Sequence, residues 1–394
     1  MSGVIPRRGK AVDSSQIKPM GQPAALPLRF AAICLCVALS LSSFASSAKP
    51  AHAVNSGTFA PYVDVTQWPP FAMAQHAQAT GIRNYTLGFV VAKGYGVCQA
   101  SWGTYYTLAE NWFGDQVQQL RVLGGDVIAS FGGAANQELA EACTTVPTLK
   151  AQYKAVIDQY ALSQLDFDIE GGILTNVAAN TRRAKAIAQL QNDAKAAGKS
   201  LKVSFTLPVL PQGLTGDGIN LLKNAVANGV DIAVVNIMAM DYGDGAAPNP
   251  TNKMGEYAID AANALFNQLK AIYQAGGVTK TDAELWAMVG ITPMIGENDV
   301  ASEIFNQQDA REVVAFAQSK PIGRIAMWSA NRDKACGAGG SLYECTKITQ
   351  SANEFGRIFN AFAGAQTPTP MPPTSTPDPT LDRPIFMPLL IRVN

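Results

Sequence analysis

The sequence predicts an α/β chain folded as a single (β/α)8 TIM barrel, on three observations. Eight short runs rich in β-branched and aromatic residues alternate with longer Ala-, Gln- and Lys-rich stretches of helical period across residues 54–363. That order calls for parallel strands joined by crossover helices. Eight such units in about 310 residues are what a closed barrel needs. The first unit lacks the G-x-G-x-x-G turn of a doubly wound open sheet, the competing architecture.

Residues 1–53 precede that body. Phe30 to Leu41 is a short apolar run with Arg29 before it, and the small-residue stretch behind it ends Ala51-His52-Ala53. This is the order of a secretory signal peptide cleaved after Ala53. A membrane span needs roughly 20 apolar residues, so no stable membrane insertion is expected. Strands are expected at 59–65, 84–91, 125–131, 164–170, 201–208, 231–240, 285–292 and 322–329. Helical periodicity marks 112–123, 147–160, 177–197, 217–228, 255–275 and 309–318. Strand seven ends near Thr292 and its helix begins near Asp309, which leaves no room for an inserted α+β domain. Residues 364–382 form a Pro/Thr-rich linker that cannot pack. Residues 383–394 form a short apolar tail, a candidate for retention at the cell surface.

Removing the leader removes Cys34 and Cys36 and leaves Cys98, Cys143, Cys336 and Cys345. An even number in a secreted, extracellular chain points to disulfides. Cys336 and Cys345 flank a Gly-rich loop and are expected to pair, which leaves Cys98 with Cys143. Thirty basic residues balance thirty acidic ones, so no overall field attracts nucleic acid or an anionic membrane. The two histidines, His52 and His76, are too few for a multi-histidine metal site and argue against a serine–histidine–acid triad. No metal is expected. Proton chemistry in this chain falls to carboxylates.

Strand four supplies them. In Leu165-Asp166-Phe167-Asp168-Ile169-Glu170 the side chains alternate, so three acids share one face and three apolar residues the other. The apolar three belong against the helices. The acids then point into the barrel, with Glu170 nearest the mouth, where catalysis in this fold takes place. Crowding and desolvation disfavour their ionisation, so one acid is expected to stay protonated near neutral pH, as a general acid must. Strand three ends Ser130-Phe131-Gly132-Gly133, whose glycines would let backbone approach a ligand. Strand six ends Met238-Ala239-Met240-Asp241-Tyr242, and strand eight ends Met327-Trp328-Ser329, an aromatic placed to stack on a sugar.

Taken together, these segments resemble glycoside hydrolase family 18, the chitinases, over essentially all of residues 59–363. DFDIE resembles the end of that family's D-x-x-D-x-D-x-E motif, with Ser163 in place of the first acid. SFGG resembles its S-x-G-G motif, and MAMDY its M-x-Y-D motif; TPMIGEND (292–299) and MWSANRD (327–333) resemble short secreted bacterial members. The resemblance implies Glu170 as acid/base, Asp168 orienting the substrate's acetamido group and Asp166 sharing a proton with Asp168. It also implies Trp328 as the floor of the central sugar site. Ser130, Met238, Met240, Asp241 and Tyr242 are the remaining candidate substrate contacts. Met240 stands where the family often has tyrosine, which leaves Tyr242 to bond the acetamido carbonyl if the backbone turns it back into the site. A secreted, monomeric endo-chitinase needing no cofactor is thereby expected, retaining configuration through substrate assistance. Its partners would be chitin or N-acetylglucosamine oligosaccharides. The alternatives are an endo-β-N-acetylglucosaminidase acting on N-glycans and a non-catalytic chitin-binding lectin.

Overall fold

Alternating Val, Ile, Leu and Phe drive the expected runs into one parallel sheet. The structure is a computed structural model that describes residues 57–364 apart from Ala338; the leader, the linker beyond Gly364 and the tail lie outside the described residues. Strand β1 comes in two pieces, Thr58–Phe59 and Tyr62–Asp64. It is followed by β2 Asn84–Gly94, β3 Asp126–Gly132, β4 Gln164–Asp168, β5 Lys202–Leu210, β6 Ile232–Ala239, β7 Val289–Pro293 and β8 Arg324–Ile325. Each pairs in parallel with the next. The first piece of β1 pairs with β8 and the second with β2, so the sheet closes on itself.

The outward faces of the strands are apolar. Phe131 and Phe167 stack at 5.2 Å, Phe205 lies 5.8 Å from Phe167, and Tyr153 of helix Val146–Tyr160 meets the first two edge-on. All four are buried, each contributing on the order of 2 kcal/mol by leaving water. Leu165 and Ile169 are buried with them, as the alternation requires. The inward faces are polar: Ser130, Asp166, Ser204, Thr206, Asn236 and Arg324 are all buried.

The six expected helices form at Gly114–Val122, Val146–Tyr160, Val177–Ala196, Gly216–Ala227, Met254–Ala275 and Gln307–Ser319. The last starts earlier than its apolar period suggests because Asn306 and Asp309 make a capping box. The strand expected at 285–292 is corrected at its start. Thr281 and Glu284 cap a helix, Asp282–Ala287, and pairing begins only at Val289. Strand eight is also shorter than expected, because regular pairing stops at Ile325 and the chain reaches Trp328 through a single bridge to Met294. Helices Met73–Thr80, Leu139–Ala142 and Glu354–Asn360 were not foreseen. Nor was the continuation of β2 into a hairpin with Val97–Trp102. Between β7 and its helix lies only a two-stranded hairpin, Gly296–Glu297 with Ile304–Phe305, and no inserted domain. Both expected disulfides form, Cys98–Cys143 and Cys336–Cys345. The first ties the β2 hairpin to the segment that follows β3.

Candidate active site

The acids of β4 are placed by the alternation that buries its phenylalanine. Asp166 is deepest. Its carboxylate accepts from Tyr62 (2.9 Å), Ser130 (2.8 Å), Ser204 (2.5 Å) and Thr206 (3.0 Å), and Arg324 Nη1 lies 3.8 Å away. Arg324 also donates to Ser204 Oγ at 2.7 Å, while its Nε has no partner among the described residues. All the partners of Asp166 come from β1, β3, β5 and β8, and they fix its position from around the barrel.

Asp168, one layer up, is also buried, and its Oδ1 has no hydrogen-bond partner among the described residues. Burial, followed by the charges of Glu170 and Asp166, pushes its carboxyl well above the usual range. Glu170 lies just past the strand end, half-buried. Burial, followed by the charge of Asp241, raises it to about 7. Asp241, at the end of β6, is itself raised, mainly by burial. Its Oδ1 accepts the Val300 amide at 2.8 Å. The structure therefore brings Asp168, Glu170 and Asp241 together at the barrel mouth.

Trp328 is half-buried at the end of β8 and stacks on Phe89 at 5.7 Å, with Tyr62 6.0 Å away. Met238 lies two residues beyond Asn236, whose amide bonds Thr206 inside the barrel, so strand alternation puts it on the interior face. Met240 follows past the strand end, half-buried.

Three expectations change. Ser130 is fully buried and spends its hydroxyl on Asp166, so it positions an acid and does not line the cleft. Tyr242 does not turn back into the site. Its ring meets Tyr257 of helix Met254–Ala275 edge-on, and the charges that bear on its phenol after burial are Glu303 and Asp260. The glycines after Phe131 serve close approach, but to protein. Gly132 has φ of 105°, and a Cβ there would collide with the Asp168 carbonyl oxygen, while one at Gly133 would press on Phe89. Gly133 N donates to that same carbonyl at 3.0 Å.

Sequence reading missed Tyr62, Ser204, Thr206 and Arg324. Ser204 and Thr206 carried a usable signal, since polar residues at period two within Val203-Ser204-Phe205-Thr206-Leu207 mark an inward polar face. Among the described residues, no group of three or more His, Cys, Asp or Glu is arranged to hold a metal ion. None of the described helices is long and apolar enough to cross a membrane.

The fold is that of an enzyme barrel, closed and parallel, with its acids gathered at the C-terminal end of β4. Comparison with known proteins identifies its family. No family model matches. A probable bifunctional chitinase/lysozyme of Escherichia coli K12 is 38% identical over 319 residues, 79% of this chain and 35% of that protein. Endochitinase 11 of Metarhizium anisopliae is 38% identical over 288 residues, 72% of this chain and 54% of that one. The chain thus spans about a third and about half of these two relatives. The solved catalytic domain of the hyperthermophilic chitinase from Pyrococcus furiosus is 34% identical with a TM-score of 0.70, covering 79% of this chain and 96% of that one. Catalytic-site mutants of active domain 2 of the thermostable chitinase of that organism were solved in complex with chito-oligosaccharides, at 34% identity and a TM-score of 0.69, covering 78% of this chain and 94% of that one. The chain belongs to glycoside hydrolase family 18, the chitinase family.

Proposed function

We propose that the protein hydrolyses β-1,4 linkages between N-acetylglucosamine units, with Glu170 as general acid/base. The observation that carries this is the placement of Glu170. It stands at the mouth end of β4, and burial followed by the charge of Asp241 raises it to about 7, so a substantial share of it carries a proton at neutral pH. Chito-oligosaccharides bound to the Pyrococcus furiosus relative support the substrate class.

The mechanism follows from which carboxylates are near. A retaining enzyme of the ordinary kind needs a second carboxylate about 5–5.5 Å from the acid, attacking from the opposite face of the sugar. Asp168 lies on the same strand as Glu170, and Asp241 has one oxygen committed to Val300 N. The nucleophile is then the substrate's own 2-acetamido oxygen. It bonds to the anomeric carbon while the glycosidic bond breaks and Glu170 gives its proton to the leaving oxygen. Asp168 Oδ1, unpaired in the buried site, accepts the acetamido N–H and stabilises the cyclic oxazolinium ion. Glu170, now a carboxylate, takes a proton from the water that opens the ring, and configuration is retained. Trp328 floors the sugar, and no step calls for a metal or organic cofactor. The short connection after β7 leaves the cleft open-ended, which suits endo cleavage. Two disulfides suit the oxidising compartment of a secreted monomer.

Dependence on the acetamido group tests the reading. N-acetylglucosamine oligomers should be cut, cellulose and fully deacetylated chitosan should not, and partly acetylated polymer should be cut only after acetylated units. Cleavage after glucosamine units would remove the mechanism and leave Asp241 as a conventional nucleophile.

A further inference from the structure

The hairpin after β7 joins two strand ends that flank the acids. On one side it is tied to the end of β8. Ile295 N donates to the Trp328 carbonyl at 3.1 Å, and the Arg332 guanidinium donates to the Glu297 carbonyl at 2.8 Å. On the other side its tip grips the end of β6. Val300 N donates to Asp241 Oδ1 at 2.8 Å. The wholly buried Glu303 carboxylate accepts Tyr242 N at 3.1 Å and Gly243 N at 2.7 Å. Donors and acceptors thus run in both directions between 241–243 and 300–303. Within this clasp Asp241 has φ of 51°, a left-handed conformation that a residue other than glycine rarely holds without support.

We propose that Glu303 is a positioning residue: by holding the two amides that follow Asp241, it fixes the left-handed turn that sets the Asp241 carboxyl beside Glu170. Both oxygens of Glu303 are spent on backbone donors of one turn, and that turn is the one carrying Asp241. Glu303 itself is wholly buried, with both oxygens turned to backbone. The inference deepens the functional reading above and rests on it, since it takes Asp241 as part of the cleft.

Glu303→Gln keeps the side chain's shape but sets an NH2 group against one of the two amides. In a crystal structure of this variant the Val300–Asp241 bond should open and the Asp241 carboxyl should move. On N-acetylglucosamine oligomers kcat should fall about 10- to 100-fold, the scale of a small misplacement at a reacting centre, with KM changing little. Adding Glu303→Gln to Asp241→Asn should lower kcat no further. Ser302→Ala removes only the bond to Asp244 from the same hairpin and should stay near wild type. If Glu303→Gln does not fold, Glu303→Asp, which keeps the charge and shortens the reach, goes through the same cycle. An Asp241 that stays in place in the variant crystal overturns the proposal, as do losses that multiply in the double variant. A wild-type chain that cuts no oligomer would instead remove the functional reading, and the position of Asp241 in the variant crystal would still decide the role of Glu303.

Discussion

Glu170 and Asp168 share a strand end, a face and a raised pKa, yet their surroundings divide the work. Asp168 is buried without a partner for Oδ1, whereas Glu170 is half-buried and feels Asp241 across the mouth. A general acid must be protonated to act. Activity should therefore be near half its maximum at about pH 7 and decline further as pH rises beyond the pKa of Glu170. Asp241→Asn removes a like charge, so it should move this alkaline limb to lower pH. A kcat/KM profile of both proteins is the check; a limb that stays fixed would show that Asp241 does not act on Glu170. The Asp166-x-Asp168-x-Glu170 alternation was legible in the sequence because a strand's period is two whatever its surroundings. The role of Tyr242 was not legible, since the turn at Asp241 decides which way its ring faces, and that turn depends on Glu303, sixty residues away.

At the scale of elements, the strands were easier to read than their extensions. The residues of β3 to β6 alternate cleanly, and their paired ranges fall close to the expected ones. The hairpin Val97–Trp102 and the helix Leu139–Ala142 are held instead by contacts between distant segments. Among these is the Cys98–Cys143 bond, which ties the β2 hairpin to the segment that starts at Gly133, beside Asp168. Nearby, buried Glu138 pairs with Arg183 at 2.9 Å and also accepts Ala140 N and the Tyr153 hydroxyl. Such pairs have no period and leave no mark in a local window. Replacing Cys98 and Cys143 by serine should lower stability by roughly 2–4 kcal/mol, seen as a lower denaturation midpoint in urea. An unchanged midpoint would show that the ion pair and packing hold this segment alone.

Across the whole molecule the barrel carries its polar residues inside and its apolar residues between sheet and helices. Its deepest acid, Asp166, is met by four hydroxyls and by Arg324, which offsets the cost of burying a charge there. Acid should weaken the fold at a different place. His76 is buried against Phe71 and Tyr85, its Nδ1 lies 2.8 Å from the Tyr85 hydroxyl, and burial lowers its pKa to about 4. Between pH 6.5 and 4 the unfolded chain therefore binds a proton that the native chain refuses, so this contribution is intact above pH 6.5 and is lost as pH falls. The loss approaches about 3 kcal/mol at pH 4. Urea denaturation of wild type and His76→Gln across that range is the measurement, and the variant should lack this part of the slope; equal slopes would clear His76 of the effect.

The most direct test of the functional reading follows newly formed reducing ends by proton NMR as N-acetylglucosamine hexamer is cut by wild type and by Glu170→Gln. The wild type should release shorter oligomers whose first-formed ends are β-anomers, since the substrate's own oxygen and then water attack in succession. The variant should be slower by about 10²–10⁴-fold, the share a positioned acid contributes. First-formed α-anomers, or a variant as fast as the wild type, would contradict both the mechanism and the assignment of Glu170.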